Sequence, residues 1–159
     1  MKISIIGAGN VGATCANDII NLNLADELVL LDVKEGITEG KALDLWQTSS
    51  IQQFETYVYG VTEDYEATKG SDVVVITAGL PRKPGMSRDD LIEINAGIVQ
   101  HATKEIIKYS PDTKIVIVSN PLDVMTYASH MVAEGKPSTE IFGMAGILDA
   151  ARYKAFIAQ

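Results

Sequence analysis

Six short apolar runs alternate with longer segments of helical period along this chain of 159 residues. Such alternation predicts β-α-β units. Three of the runs are continuously apolar, which is typical of strands buried on both faces of a parallel sheet. Six strands are too few for an eight-stranded barrel, so we predict an open, doubly wound α/β sheet. The predicted strands are Ile3–Ile6, Leu28–Leu31, Tyr57–Tyr59, Val73–Ile76, Ile115–Val118 and Ile141–Phe142, and the predicted helices lie at about 10–21, 38–48, 88–109, 122–133 and 148–159.

Composition and charge narrow the class of protein. Hydrophobic residues make up 47% of the chain, which is enough for the core of one domain. The net charge of -8 argues against binding to a nucleic acid backbone. The longest uncharged stretch, Ile3–Asn17, contains three glycines and is too short to span a membrane. Cys15 is the single cysteine, which excludes a disulfide framework or a thiolate metal site, so we predict a cytoplasmic domain without a bound metal.

A glycine-rich turn directly follows the first predicted strand and opens the first predicted helix. Glycines at these positions let backbone N–H groups approach a pyrophosphate, and the helix N-terminus favours negative charge. A glycine-rich turn without a ligand is the alternative. We predict that this turn binds a dinucleotide. Its residues are Gly7, Ala8, Gly9, Asn10, Val11 and Gly12.

Asp32 ends the second predicted strand, twenty residues after Gly12. An acid at that position can accept hydrogen bonds from both hydroxyls of an adenosine ribose and repels a 2'-phosphate. NAD is therefore preferred over NADP, although the charge of Lys34 nearby weakens that preference. An ordinary acid at the entry to a loop is the alternative.

The helix predicted at 88–109 carries polar groups on its apolar face. At 100° per residue, Arg88 and Asn95 share a face with the apolar stripe, which is expected to pack on the core. Buried polar groups need partners, so these two side chains either bond to neighbouring loops or line a site at the N-terminal end of the helix. The stripe consists of Leu91, Ile94, Ile98, Ala102 and Ile106.

The loop after the fourth predicted strand, residues 77–88, carries Arg82, Lys83 and Arg88 in an otherwise acidic protein. It lies at the carboxyl end of the sheet, where ligands of doubly wound folds bind. Guanidinium groups suit carboxylates, so we predict an anionic substrate here. A solvated basic loop is the alternative.

Two further segments carry polar groups at helix starts. Asn120 lies at the carboxyl end of the fifth predicted strand, and Pro121 suits the first turn of the next helix. Asn120 either caps that helix or faces a ligand. Asp149 and Arg152 are three residues apart on the last helix, where an ordinary ion pair is the simpler interpretation.

Long motifs along the chain resemble those of one family. They are GAGNVG, LVLLD, ITAGLPRKPGMSRDDL, NAGI, VSNPLDVMT and GMAGILDAAR. In this order they resemble the lactate/malate dehydrogenase superfamily, specifically NAD-dependent malate dehydrogenases of the lactate-dehydrogenase-like type. The resemblance covers essentially the whole chain. It implies a six-stranded Rossmann sheet in the order 3-2-1-4-5-6 with helices on both faces, NAD as cofactor, and malate or oxaloacetate as substrate.

The resemblance also implies roles for individual residues. Arg82 would pair with the second carboxylate of the dicarboxylate, where lactate dehydrogenases carry glutamine. Arg88 would polarise the reacting carbonyl, Arg152 would clamp the carboxylate beside it, and Asn120 would add a substrate contact. Asp149 would orient the catalytic histidine. The implied cofactor residues are Gly7, Ala8, Gly9, Asn10, Val11, Gly12, Asp32, Asn95, Val118, Ser119 and Asn120.

The catalytic histidine that the family carries in a Gly-Gly-His-Gly-Asp motif does not occur in this sequence. His101 and His130 lie in predicted helices and are expected to be surface or boundary residues. We therefore predict the NAD-binding domain of a longer enzyme, cut inside the helix at 148–159, which binds NAD(H) without turnover.

Three other functions would use the same strand and glycine-rich turn. A lactate-type substrate is the nearest alternative. An NAD-dependent glycosidase would need cysteine and histidine metal ligands further along, and a non-catalytic dinucleotide sensor would not need the arginine loop.

The family forms oligomers, and the helix containing Lys41–Trp46 is a candidate contact through Leu45 and Trp46, with core packing as the alternative.

Overall fold

One sheet of six parallel strands organises the molecule. The computed structural model describes residues 1–81 and 85–159, with the backbone but not the side chain of Arg88. The strand order is β3-β2-β1-β4-β5-β6, which confirms the doubly wound sheet and the order that the resemblance implied. The strands are β1 Lys2–Ile6, β2 Glu27–Asp32, β3 Tyr57–Thr62, β4 Val73–Ile76, β5 Lys114–Ile117 and β6 Ile141–Gly143.

Helices connect the strands, and the five predicted ones are present. Their bounds are α1 Asn10–Asn21, α2 Ile37–Gln47, α4 Arg88–Tyr109, α5 Leu122–Val132 and α6 Ile147–Ile157. The sequence did not predict α3, Ser49–Gln52, or the 3-10 turns Tyr65–Thr68 and Ser138–Glu140, because three or four residues are too few to show a helical period. Among the described helices, none has both the length and the apolar character needed to cross a bilayer.

The long helix α4 begins at a capping box. The Ser87 hydroxyl accepts a hydrogen bond from the Asp90 amide at 3.0 Å, and the Asp90 carboxylate accepts one from the Ser87 amide at 3.1 Å. These bonds satisfy amide groups that have no partner inside the helix. The start of α4, at the end of the loop formed by residues 77–88, is therefore encoded locally by Ser87 and Asp90.

Two apolar cores lie on opposite faces of the sheet. Alternate residues of β4 point to different cores: Val75 belongs to the core under α1 and α2, and Val74 and Ile76 belong to the core under α4 and α5. Burial on both faces explains why three of the six predicted runs are continuously apolar. The helices thus cover both faces, as predicted.

The apolar stripe predicted for α4 is wrong in part. Ala102, Ile106 and the polar Asn95 are buried as expected, but Ile94 is 40% exposed and Ile98 is only half-buried. The buried side of α4 runs through Asn95 and Val99, so it is rotated from the predicted stripe. Ile94 and Ile98 line a cavity instead of the core. A periodic pattern cannot distinguish these two apolar environments.

Several helices leave large apolar side chains exposed, among them α6 and α2. Every described side chain of α6 is exposed, including Tyr153 and Phe156 at 68% and 73%. On α2, Leu45 packs against a core, whereas Trp46 is 45% exposed and forms a T-shaped pair with the Tyr57 ring, with centroids 6.4 Å apart. Core packing therefore accounts for Leu45 but not for Trp46.

Candidate functional site

The sheet brings the ends of three strands together. Ile6, the last residue of β1, pairs with Leu31 of β2 on one side and with Ile76 of β4 on the other. The connections from β1 and β4 lead to opposite sides of the sheet, so the strand order reverses between these two strands. Such a reversal opens a crevice at the carboxyl ends of the strands, where ligands bind in doubly wound folds.

The three positions of the turn are occupied by glycine for different structural reasons. Gly7 has φ +104°, and a Cβ there would lie 2.7 Å from the Ala78 nitrogen. A Cβ at Gly12 would overlap the Gly7 carbonyl oxygen. Gly9, however, has φ -66°, which any residue can adopt, and a Cβ there would have no atom within 4 Å. Gly7 and Gly12 are therefore required by the fold, whereas Gly9 faces open space.

The open space at Gly9 fits an anionic ligand. Gly9 is the N-cap of α1 and makes no side-chain capping bond, so the first amides of the helix have no cap from a side chain. The absence of a side chain at Gly9 lets a bulky group approach the backbone closely. Both features suit the pyrophosphate of a dinucleotide at the helix N-terminus.

Asp32 braces the glycine turn from the end of β2. One carboxylate oxygen accepts a hydrogen bond from the Ala8 amide at 2.7 Å. The other accepts from the Val33 amide at 2.8 Å and from the Lys34 amide at 3.3 Å. These bonds hold the half-buried carboxylate beside the turn, where it can also accept from ribose hydroxyls.

A cavity of about 780 Å³ extends from the glycine turn along α4. Its volume lies in the range of small-molecule and cofactor sites. Of the predicted cofactor residues, five line it: Gly7, Ala8, Gly9, Asn10 and Asp32. Further lining residues include Lys34, Ile37, Lys41, Tyr65, Thr77, Ala78, Gly79, Ile94, Ile98 and His101.

One wall of the cavity is aromatic. The Tyr65 and His101 rings meet edge to face with centroids 5.6 Å apart. Burial, with smaller contributions from the charges of Glu105, Asp32 and Glu63, raises the pKa of Tyr65 to about 12. Tyr65 therefore presents a neutral hydroxyl at physiological pH.

Asn95 ties two loops together at the other end of the crevice. Its Oδ1 accepts from the Leu80 amide at 2.8 Å, and its Nδ2 donates to the Asn120 carbonyl at 3.2 Å. Ser119 is also buried and donates to the Ala78 carbonyl at 2.5 Å. These side chains bond to neighbouring loops and do not line the cavity, so they shape the ends of β4 and β5.

Asn120 is exposed at the carboxyl edge of the sheet. Pro121 is itself the N-cap of α5, without a side-chain capping bond, and the helix begins at Leu122. Pro121 thus lies one position before the expected first turn, and Asn120 does not cap the helix. Val118 follows β5 directly and is half-buried against the core under α1 and α2.

The structure describes only some of the side chains predicted to bind substrate. Arg82 and Lys83 lie outside the described residues, as does the side chain of Arg88. Asp149 and Arg152 form an exposed ion pair on α6 at 3.2 Å and do not line the cavity. Among the residues that the structure describes, no group of three or more His, Cys, Asp or Glu side chains could hold a metal ion.

Sequence reasoning missed several residues of the cavity. Lys41 and Tyr65 carried no local motif that marked them for the cavity, and His101 was expected to be a surface or boundary residue. Thr77 had a usable signal, because the loop that it begins, residues 77–88, was expected at the carboxyl edge of the sheet. The others reach the cavity from helices or turns, which only the tertiary structure brings near.

The family described as lactate/malate dehydrogenase, NAD binding domain, has a sequence model that matches residues 1–143. The chain belongs to the lactate/malate dehydrogenase family. It is an NAD-binding domain of that family, which confirms the resemblance of its motifs and NAD as its cofactor. Membership in this family leaves no support for the NAD-dependent glycosidase.

Relatives of both dehydrogenase types are similar to this chain. The malate dehydrogenase of Cytophaga hutchinsonii is 58% identical over 158 residues, which are 99% of this chain and 50% of that protein. The solved malate dehydrogenase of Archaeoglobus fulgidus in complex with NADH is 43% identical, has a TM-score of 0.93 and is matched over 99% of this chain and 53% of that one. The lactate dehydrogenase of Cryptosporidium parvum, solved with lactic acid and nicotinamide adenine dinucleotide, is 40% identical, with a TM-score of 0.91 over 99% of this chain and 49% of that one. The chain spans about half the length of the curated relatives it matches.

Proposed function

We propose that this chain is the cofactor-binding half of an NAD-dependent malate dehydrogenase. The whole enzyme would transfer a hydride between C2 of malate and the nicotinamide, and the 159 residues alone would bind NAD(H) without turnover. The full protein would work in the cytoplasm as a homo-oligomer, with α2 as a candidate contact. Neither a nucleic acid nor a membrane is proposed as a partner.

The observation that carries this proposal is the open space at Gly9. Gly7 and Gly12 are explained by the fold, but nothing within 4 Å explains the missing side chain at Gly9. A phosphate that contacts the backbone at the start of α1 supplies the reason. Asp32, held beside the turn by the Ala8 amide, is then in place for the ribose.

The chain's residues would divide the work of binding. The glycine turn would hold the pyrophosphate, Asp32 would accept from the ribose hydroxyls and reject a 2'-phosphate, and Asn95 would keep the ends of β4 and β5 in position. When bound, NAD supplies the hydride acceptor or donor. Arg88 would stabilise negative charge on the substrate oxygen, and Arg152 would bind the adjacent carboxylate.

Proton transfer is the step for which this chain lacks a group. The resemblance assigns it to a histidine in the Gly-Gly-His-Gly-Asp motif, oriented by Asp149. His101 lies in the cavity against Tyr65, and His130 lies on α5; among the described residues, no hydrogen bond or ion pair joins either histidine to Asp149, which pairs with Arg152. We expect binding and catalysis to be separable for this reason.

Calorimetric titration of the 159-residue chain with NADH should give saturable binding, because the glycine turn and Asp32 belong to one folded crevice. NADPH should bind at least about tenfold more weakly, since its 2'-phosphate would meet the Asp32 carboxylate. The same preparation, mixed with oxaloacetate and NADH, should oxidise NADH no faster than a protein-free blank.

Each part of this prediction can fail independently. Absence of heat and of saturation at millimolar NADH would contradict the cofactor role. Equal affinity for NADPH would contradict the role of Asp32 alone. Steady oxaloacetate reduction by the 159 residues would show that the missing histidine is not needed.

The substrate preference is assigned to Arg82, whose charge would pair with the second carboxylate of oxaloacetate. In a full-length enzyme, Arg82→Gln should lower the ratio of kcat/KM for oxaloacetate to that for pyruvate by about tenfold or more, because a charged partner is lost. Steady-state kinetics with both substrates measure the ratio. An Arg82→Lys variant, which keeps the charge, should retain more of it than the glutamine variant. An unchanged ratio in Arg82→Gln would remove the assigned role.

Two other functions use the same cofactor crevice. A lactate-type enzyme is the nearest, and lactate dehydrogenases occur among the similar structures. Arg82 favours the dicarboxylate, since lactate dehydrogenases carry glutamine at the matching place in the motif. A non-catalytic dinucleotide sensor would not need the basic loop at residues 77–88.

A further inference from the structure

We infer that Lys41 is a positioning residue for phosphate binding at the glycine turn. By holding the Ala8 carbonyl, its ammonium fixes the direction in which the Gly9 amide points. This inference rests on the proposed binding of NAD(H). Lys41 lies on α2 and belongs neither to the glycine motif nor to the end of β2, where Asp32 lies.

The peptide group between Gly7 and Ala8 is held at both ends. The Ala8 amide donates to the Asp32 carboxylate at 2.7 Å, and the Gly7 carbonyl accepts from the Thr77 hydroxyl at 2.8 Å. Partners from β2 and from the end of β4 therefore prevent this peptide from rotating. The first half of the turn is rigid without any contribution from Lys41.

The next peptide, between Ala8 and Gly9, is held by Lys41. The Lys41 ammonium donates to the Ala8 carbonyl at 2.6 Å, a charge-assisted bond from a residue 33 positions along the chain. The peptide is trans, so its N–H points away from its carbonyl. Within residues 1–81 and 85–159, no group accepts a hydrogen bond from the Gly9 amide. Lys41 therefore orients a free donor at the open position of the cradle.

Packing against β3, independent of any ligand, determines where Lys41 lies. A Cβ at Gly60 of β3 would overlap the Thr38 carbonyl oxygen, so glycine allows α2 to approach the sheet closely. Ala42, next to Lys41, is fully buried in the core under α1 and α2. The backbone at Lys41 is thus anchored on both sides, and its half-buried side chain reaches the turn.

A second lysine of the cavity provides the comparison. Lys34 also lines the cavity, but it contributes its backbone amide to Asp32, not its ammonium to the turn. Removing either side-chain charge changes the charge of the cavity equally. Only the loss of Lys41 frees the Ala8 carbonyl.

The experiment titrates NADH, ADP and adenosine into the wild type and into Lys41→Met, Lys41→Arg and Lys34→Met variants of the 159-residue chain. Lys41→Met should weaken NADH and ADP about tenfold, or about 1.4 kcal/mol, and leave adenosine unchanged, because adenosine has no phosphate. Lys41→Arg should restore most of the affinity, and Lys34→Met should lose less than Lys41→Met. The thermal midpoint of each variant reports whether it is folded.

The amide resonance of Gly9 in ¹H–¹⁵N spectra provides a readout that a general loss of stability would not produce. Without ligand, it should shift in Lys41→Met and return toward the wild-type position in Lys41→Arg. On addition of ADP, it should move in the wild type and much less in Lys41→Met.

The outcomes separate the two proposals. The role of Lys41 is overturned if Lys41→Met keeps both the ADP affinity and the Gly9 resonance of the wild type. It is also overturned if Lys34→Met loses as much affinity as Lys41→Met, because charge alone would then explain the loss. Failure of the wild type to bind NADH overturns the proposed function. Even then, comparing the ligand-free Gly9 resonance of the wild type and Lys41→Met tests whether Lys41 orients the peptide between Ala8 and Gly9.

Discussion

Gly9→Ala should leave the fold intact and weaken NADH binding at least about tenfold. The backbone at Gly9 has φ -66°, which alanine adopts without strain, and no atom lies within 4 Å of the added Cβ. The methyl group would occupy the space through which a phosphate approaches the start of α1. Calorimetry gives the affinity, and thermal unfolding should place the midpoint within a few degrees of the wild type.

Gly40→Ala is the matched control for this variant. Gly40 lies on α2, has no atom within 4 Å of an added Cβ, and does not line the cavity. Alanine there should raise helix stability by roughly 0.5–1 kcal/mol and leave the affinity for NADH unchanged. If Gly9→Ala bound NADH as tightly as Gly40→Ala, the open space at Gly9 would have no role in binding.

Gly12→Ala should destabilise the domain by about 3 kcal/mol or more, at or above the upper end of the usual cost of overpacking. Its added Cβ would overlap the Gly7 carbonyl oxygen and lie 2.9 Å from the Thr77 hydroxyl. The Gly7 backbone cannot move easily, because its amide donates to the Leu31 carbonyl at 2.7 Å. The midpoint of urea-induced unfolding measures the loss, and a chain that fails to fold is the extreme of the same effect.

The comparison for Gly12 is another glycine inside a helix. Gly97 of α4 has nothing within 4 Å of an added Cβ, so Gly97→Ala should unfold at an equal or higher urea concentration than the wild type. A wild-type urea midpoint for Gly12→Ala would mean that α1 can move away from β1 at little cost. The close approach seen at Gly12 would then not be required by the fold.

These two variants separate binding from folding within one six-residue motif. The three glycines of the motif look equivalent in the sequence. An added Cβ would meet protein atoms at Gly7 and Gly12, however, whereas it would enter open space at Gly9. The difference depends on where Ala78, Thr77 and the Gly7 carbonyl lie. A loss of affinity in a motif variant therefore has to be interpreted together with its stability.

The helix α4 shows where periodicity was sufficient and where it was not. Its bounds, Arg88–Tyr109, agree with the apolar period, and its capping box is visible in the sequence at Ser87 and Asp90. Its orientation was predicted only in part: Asn95 is buried as expected, but Ile94 and Ile98 line the cavity instead of the core. Apolar side chains serve a core and a cofactor pocket equally well, so the pattern alone could not assign them.

The substrate side of the site has contacts that remain predictions. Asp149 and Arg152 form an exposed ion pair on α6, and exposed pairs of this kind contribute a few tenths of a kcal/mol at most. Their proposed roles require neighbours that the described residues do not place beside them. The resemblance of the motifs, and not the geometry of α6, supports those roles.

The sequence by itself determined the strands, the main helices, the doubly wound class and the glycine-rich turn after β1, because each depends on local period, on turn chemistry or on long ordered motifs. Only the tertiary structure decided which glycine of the turn faces open space, which side of α4 is buried and which lysine reaches the turn. The bond from Lys41 to the Ala8 carbonyl joins residues 33 positions apart. Such contacts depend on how closely α2 can approach β3 at Gly60, a packing distance that no local pattern encodes.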